Sequence, residues 1–158
     1  MTVPETVVLT GRPGGTTHRA VELLGELPGA FRLIGGLAVM CRVGTPYRAT
    51  VDLDAVTRDL AAHHELLATL AVTSSGGGQY TMPNHLDLDV IDIAEESTAE
   101  LAAMIDLDDV TDLEINVVAH SYAHDSATPL DLTVVDPDGA ALVTVRSRLV
   151  ADCAGSSP

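Results

Sequence analysis

The chain has 158 residues, 46% hydrophobic and 20% charged, with mean hydropathy +0.25. That is enough apolar surface to offset the entropy of ordering and to bury one sizeable core, which excludes a disordered chain. Eight Lys and Arg face 23 Asp and Glu for a net charge of −15, and Phe31, Tyr47, Tyr80 and Tyr122 are the only aromatics. Broad affinity for phosphate backbones and rows of stacked bases are both disfavoured.

The charge is unevenly spread. Residues 1–60 balance Arg12, Arg19, Arg32, Arg42, Arg48 and Arg58 against Glu5, Glu22, Glu26, Asp52, Asp54 and Asp59, so the whole excess of acid falls in residues 61–158. Lys is absent, so an anion site must be built from Arg, backbone amides or metal ions. Cys41 and Cys153 cannot form a disulfide framework, which fits a reducing cytoplasm. Pro4 and Glu5, with no basic region before them, argue against a signal peptide. The apolar stretch 33–41 is far shorter than the roughly 20 residues that span a bilayer. A soluble cytoplasmic protein with no membrane association is expected.

In chain order, Thr16 and Thr17 are placed to cap a helix over 18–27, which Pro28-Gly29 stops. A short strand over 31–34 runs into Gly35-Gly36, and a helix over 37–43 ends at Gly44 with Pro46 beyond. Residues 48–55 alternate, placing Arg48, Thr50, Asp52 and Asp54 on one face of a strand and Ala49, Val51, Leu53 and Ala55 on the other. A helix is expected over 57–70. Gly76-Gly77-Gly78 is a loop, followed by strands over 79–82 and 86–93 around the Pro83-Asn84 turn. A helix over 95–105, β-like segments over 113–119 and 130–135, and a hairpin partner over 140–145 after Asp136-Pro137-Asp138-Gly139 complete the pattern. The fold expected is α+β, one mixed sheet flanked by helices in a single domain over 1–150, with 151–158 a frayed tail.

The chemistry-bearing stretch is Ile34-Gly35-Gly36, then Arg48-Ala49-Thr50-Val51-Asp52-Leu53-Asp54. A strand entering a Gly pair at a helix start exposes backbone N–H groups where phosphate is favoured. Asp52 and Asp54 project from one strand face with Cα atoms about 7 Å apart, so both carboxylates can converge on one or two Mg²⁺ ions. As a solvated strand face and an ordinary turn, the same residues would do nothing chemical.

These motifs resemble the nucleotidyltransferase superfamily, and within it the bacterial AbiEii-like toxin-type nucleotidyltransferases, through Gly35-Gly36-Leu37-Ala38 and Arg48-Ala49-Thr50-x-Asp52-Leu53-Asp54. The resemblance covers residues 30–93 by motif order and 113–146 loosely. It implies a nucleotidyltransferase-like sheet, catalytic and metal-holding carboxylates at Asp52, Asp54 and Asp89, with Asp87 the alternative to Asp89, and nucleotide contacts from Gly35, Gly36, Arg48 and Thr50. Mg²⁺ or Mn²⁺ is the implied cofactor and an NTP the implied substrate. The acceptor would be a tRNA end, a protein side chain or a small molecule, and a toxin–antitoxin role with a basic antitoxin-like partner follows from the same resemblance. Leu37 stands where many relatives have a hydroxyl residue, and beyond the core the only basic residues are Arg146 and Arg148. A rival expectation is a non-catalytic protein of the same fold that docks a basic partner through its acidic half.

Three further features are weighed against bland readings. His120 and His124 at i, i+4, followed by Asp125, have metal-ligand types but lack a Glu after the first His. Arg42 and Arg48 either hold a triphosphate or pair locally. The 76–78 glycines lack the Lys-Ser/Thr of a P-loop.

Overall fold

The computed structural model describes residues 4–44, 52–93 and 95–152. Eight strands form one mixed sheet. The strands are β1 (Glu5–Thr10), β2 (Arg32–Ile34), β3 (Asp52–Thr57), β4 (Thr73–Gly76), β5 (Gln79–Thr81), β6 (Asp87–Asp92), β7 (Thr128–Val135) and β8 (Ala141–Val150). Their spatial order is β1-β7-β8-β2-β3-β6-β5-β4. Parallel pairs β1/β7, β8/β2 and β3/β6 alternate with antiparallel neighbours. Five helices accompany it: α1 (Thr16–Glu26), α2 (Gly35–Val43), α3 (Leu60–Leu70), α4 (Thr98–Ala103) and α5 (Asp112–Asp125). The α+β class and the mixed sheet expected from the sequence are present.

Alternation along the central strands builds the core. Leu33, Leu53, Ala55, Leu88 and Val90 are buried together with Leu23, Leu24 and Leu27 of α1 and its end, Leu37, Met40 and Cys41 of α2, and Leu67 of α3. With a single Phe and no Trp in the chain, this core is almost wholly aliphatic. At roughly 25 cal/mol per Å² of apolar surface removed from water, such burial is the main favourable term in folding. Cys41 is buried in this core.

Several boundaries differ from expectation for local reasons. Gly15, not Thr16 or Thr17, is the N-cap of α1, and no side chain caps it. Thr57 belongs to β3, and α3 starts only at Leu60 because the Asp59 carboxylate accepts from the Ala62 N–H. Gly44 ends α2 as expected, in the left-handed region with φ 81°, its N–H donating to Met40 O. The Asp136–Gly139 turn joins β7 to β8, its Asp136 carboxylate accepting from the N–H groups of Asp138 and Ala140. Ala151, assigned to the tail, is buried and donates its N–H to Leu33 O; residues 153–158 lie outside the described residues.

The largest correction is at 113–119, expected as β-like and found inside α5, a 14-residue helix. Its start is fixed by a capping box. Thr111 Oγ1 accepts from the Glu114 N–H at 3.2 Å, and the Glu114 carboxylate accepts from the Thr111 N–H at 2.8 Å. Helix α4 has the same device in Ser97 and Glu100. No helix among the described residues is long and apolar enough to cross a membrane.

Candidate carboxylate site

The parallel pairing of β3 with β6 brings the two acidic motifs into register. Asp52 lies opposite Asp87 and Asp54 opposite Asp89. Neighbouring strands are about 4.8 Å apart and alternate residues about 7 Å apart along a strand, so the four carboxylates make a two-by-two patch on one sheet face. The burial pattern agrees. Leu53, Leu88 and Val90 point into the core, while Asp52, Asp54 and Asp89 are half-buried and Asp87 exposed.

Strand β2 sets the neighbouring edge of the patch, with Ile34 opposite Asp54. The chain then turns at Gly35 with φ +74°, directly into α2. A Cβ at Gly35 would fall 2.4 Å from Asp54 Oδ2, so glycine is required both by the positive φ and by the carboxylate that lies against it. Ile34 is the N-cap of α2 and offers no side-chain cap. The first turn of α2, with its unpaired N–H groups and the positive end of the helix dipole, therefore starts beside Asp54.

On the other edge, β5 continues the polar face. Gln79 pairs with Asp89, and Thr81 pairs with Asp87 and donates its hydroxyl to Asp87 Oδ1 at 3.5 Å. Ser75, Gln79, Tyr80 and Thr81 join Asp87 and Asp89 around a cavity of about 250 Å³. Sequence reasoning missed these β5 side chains. The available signal was their alternation, which puts 79 and 81 on the same face once β5 is taken as the antiparallel neighbour of β6.

The patch is acidic without being a formed metal cage. Among the described residues no three His, Cys, Asp or Glu side chains come together closely enough to hold a metal ion. No cation among the described residues lies within ion-pair distance of Asp52, Asp87 or Asp89. Arg48 and Thr50, expected as nucleotide contacts, lie outside the described residues. The structure thus brings together Gly35, Gly36, Asp52, Asp54, Asp87 and Asp89 and does not choose between Asp87 and Asp89.

Other arginines singled out by sequence have structural partners. Arg42 donates to the carbonyls of Val150 and Ala151 at 2.6 and 3.2 Å and to Thr128 Oγ1 at 2.6 Å. Arg148 donates to Leu27 O and Gly25 O at 2.8 Å each, tying β8 to the end of α1. Arg146 is exposed and stands 3.8 Å from Asp131.

His120 and His124 are on α5. They form no metal group, and His124 belongs to a polar knot instead. Its Nδ1 is 3.0 Å from Asp125 Oδ1, and Arg58 reaches the same oxygen at 3.0 Å. The Thr98 hydroxyl donates to Asp125 Oδ2 at 2.9 Å, and the fully buried Ser121 hydroxyl accepts from Arg58 at 3.2 Å. Burial pushes the Asp125 carboxyl upward, but the hydrogen bonds from His124, Arg58 and Thr98 outweigh it and hold it well below the usual carboxylate range. Burial, aided by Arg32 and Arg58, pushes the His124 imidazole down against the pull of the Asp125 carboxylate.

No family model matches the chain, and neither a curated protein nor a solved structure is significantly similar to it. The functional reading therefore stands on the carboxylate face and its glycine edge.

Proposed function

We propose that the protein is a metal-dependent nucleotidyltransferase that moves a nucleotide from an NTP to an acceptor hydroxyl or amine. The observation that carries the reading is the in-register pairing of Asp52 and Asp54 with Asp87 and Asp89, beside a glycine that opens directly into the N-terminus of α2. A donor set made only of carboxylates suits a hard divalent cation, Mg²⁺ or Mn²⁺, and no soft ligand competes on this face. Asp52, Asp54 and Asp89 would hold it, with Asp87 the neighbour that can exchange roles with Asp89. When bound, such an ion neutralises the triphosphate and stabilises charge on the attacking and leaving oxygens.

The remaining roles fall to the chain itself. The α2 N–H groups bind phosphate oxygens, and Gly35 lets the ligand approach the backbone closely. Arg48 and Thr50 extend the same face in the sequence pattern. Asp89 or Asp87 accepts the proton of the acceptor hydroxyl as its oxygen bonds to the α-phosphorus; the bond from that phosphorus to the bridging oxygen breaks, and pyrophosphate leaves. The cavity beside Gln79 and Thr81 offers amide and hydroxyl groups that can orient a polar group of nucleotide or acceptor. With −15 of net charge lying in the second part of the chain, a small-molecule or protein acceptor is favoured over a tRNA end. A toxin role and a cytoplasmic site of action belong to the same proposal.

The activity is tested by incubating the protein with each NTP and Mg²⁺ together with tRNA, a protein mixture or polyhydroxylated small molecules in turn. Pyrophosphate release that requires both the metal and Asp52 supports the enzyme. Release that persists in Asp52→Asn, or none with any acceptor, removes it and leaves the non-catalytic rival.

A further inference from the structure

Among the described residues the most exposed large apolar side chains gather at α4, α5 and the loop between them. Met104, Leu107 and Leu113 are 73%, 85% and 72% exposed, and Ile115 is 49% exposed. They border two adjoining grooves that share Ile105 and Val118, the larger about 570 Å³ in volume. Side chains this apolar are not left contiguous and open without a purpose on most monomers. Helix α5 buries only Ser121 fully against the rest of the protein, so its apolar side is unpartnered along most of its length.

The exposed charges on α4, α5 and the loop between them bear on what would cover the grooves. Residues 95–114 contain Glu95, Glu96, Glu100, Asp106, Asp108, Asp109, Asp112 and Glu114, all exposed, and not one Lys or Arg, while the Asp125 carboxylate is already paired with Arg58 at 3.0 Å. A second copy of the chain would bring the same acidic rim against this one, at a cost that its apolar contacts must overcome. The segment after Asp152, Cys-Ala-Gly-Ser-Ser-Pro, has no large apolar side chain with which to fill the groove. An occupant needs apolar side chains along one face and Lys or Arg at its flanks, which is the pattern of an amphipathic basic helix laid into a groove.

We propose that the α4–α5 surface is a docking site for an amphipathic basic helix of a partner protein. Apolar side chains of that helix seat against Leu107, Ile115 and Tyr122, while its cations pair with the acidic rim, so that the apolar contacts fix the position and the charges speed encounter and exclude acidic competitors. The inference is independent of the nucleotidyltransferase reading, since it uses none of Asp52, Asp54, Asp87 or Asp89.

The chain has no Trp, so the fluorescence of a synthetic peptide bearing one Trp reports on the peptide alone. The probe is an 18-residue helical peptide with Leu at i, i+3, i+4 and i+7 positions and Lys or Arg elsewhere, compared with a version in which every cation is Glu. The basic peptide is expected to bind with an affinity that falls as salt rises, and the Glu version at least 100-fold more weakly. The decisive comparison is L107Q/I115Q, which keeps every charge and changes only exposed side chains. It is expected to weaken the basic peptide at least tenfold while melting near wild type, and M104Q/L113Q reads the same surface from its other end. Equal binding by wild type and both double variants would overturn the proposal, because the attraction would then be general to an acidic protein. Sedimentation showing a dimer that L107Q/I115Q dissolves would overturn it in favour of a second copy.

Discussion

Two polar regions flank β3, and they are built on opposite principles. At the end of the strand, Arg58, Ser121, Thr98, His124 and Asp125 form a knot in which opposite charges meet and each hydrogen bond has a partner. At its start, Asp52 and Asp54 face Asp87 and Asp89, like charge against like charge across adjacent strands. Cross-strand pairs of the same sign are destabilising. The knot explains itself as structure, since it ties α4 and α5 to the sheet. The carboxylate patch has no such account, since no cation among the described residues lies within ion-pair distance of Asp52, Asp87 or Asp89, and that is the reason to read it as a candidate site.

The largest expected effect is at the glycine edge of the patch. Gly35→Val forces a side chain into a φ of +74° and onto the Asp54 carboxylate, and thermal and denaturant unfolding should report a loss of about 2–3 kcal/mol. A variant that melts like wild type would mean that β2 and α2 reshape freely there. Next, Asp125→Asn removes the charge of a carboxylate that accepts from Arg58, from His124 and from both the hydroxyl and the backbone N–H of Thr98, and a loss of about 1–2 kcal/mol is expected after allowing for its partial exposure. The contrasting substitution in the patch, Asp89→Asn, should raise the melting temperature of the ligand-free protein, by up to about 1 kcal/mol of stability. Opposite signs for Asp→Asn changes in the two regions that flank β3 would sharpen the contrast; equal losses would erase it.

The smallest effect is in the pH dependence. Burial pushes the His124 imidazole below its ordinary value, whereas an unfolded histidine takes up its proton below about pH 6.5. The stability from the neutral imidazole is therefore complete above that pH and declines as pH falls below it. Asp125 behaves likewise at lower pH. Its carboxyl is depressed in the fold, so its contribution is present above about pH 4 and drains away as pH falls further. Melts from pH 7.5 to 5 should slope downward in wild type and more shallowly in His124→Gln. An unchanged slope in the variant would assign the pH dependence elsewhere.

Much of the central sheet was legible in the sequence because each of its signals was local. Alternation in Asp52-Leu53-Asp54-Ala55 and Leu86-Asp87-Leu88-Asp89-Val90 gave strand faces, Gly44 gave a helix end, and Asp136-Pro137-Asp138-Gly139 gave a hairpin. Helix α5 was misread because Leu113, Ile115 and Val117 alternate with Glu114 and Asn116, imitating a half-buried strand. The overlooked signal was Thr111-x-x-Glu114, a capping box that fixes the helix start whatever the apolar period. That misleading period has a physical consequence: wound into a helix, it scatters apolar side chains onto a face the rest of the fold does not cover. Strand β1 carried no distinguishing local signal, since its pairing with β7 is long-range in sequence. The β5 side of the candidate site depended on the same kind of non-local pairing.

The most direct test of the carboxylate face as a nucleotide and metal platform is calorimetric titration of ATP, CTP, GTP and UTP, each with and without Mg²⁺, into wild type and Asp52→Asn/Asp54→Asn. At least one NTP is expected to bind wild type only with Mg²⁺ present, and the double variant, which keeps the fold and loses two charges from the patch, is expected to show no heat of binding. Binding of equal affinity in the double variant, or binding indifferent to Mg²⁺, would contradict the account.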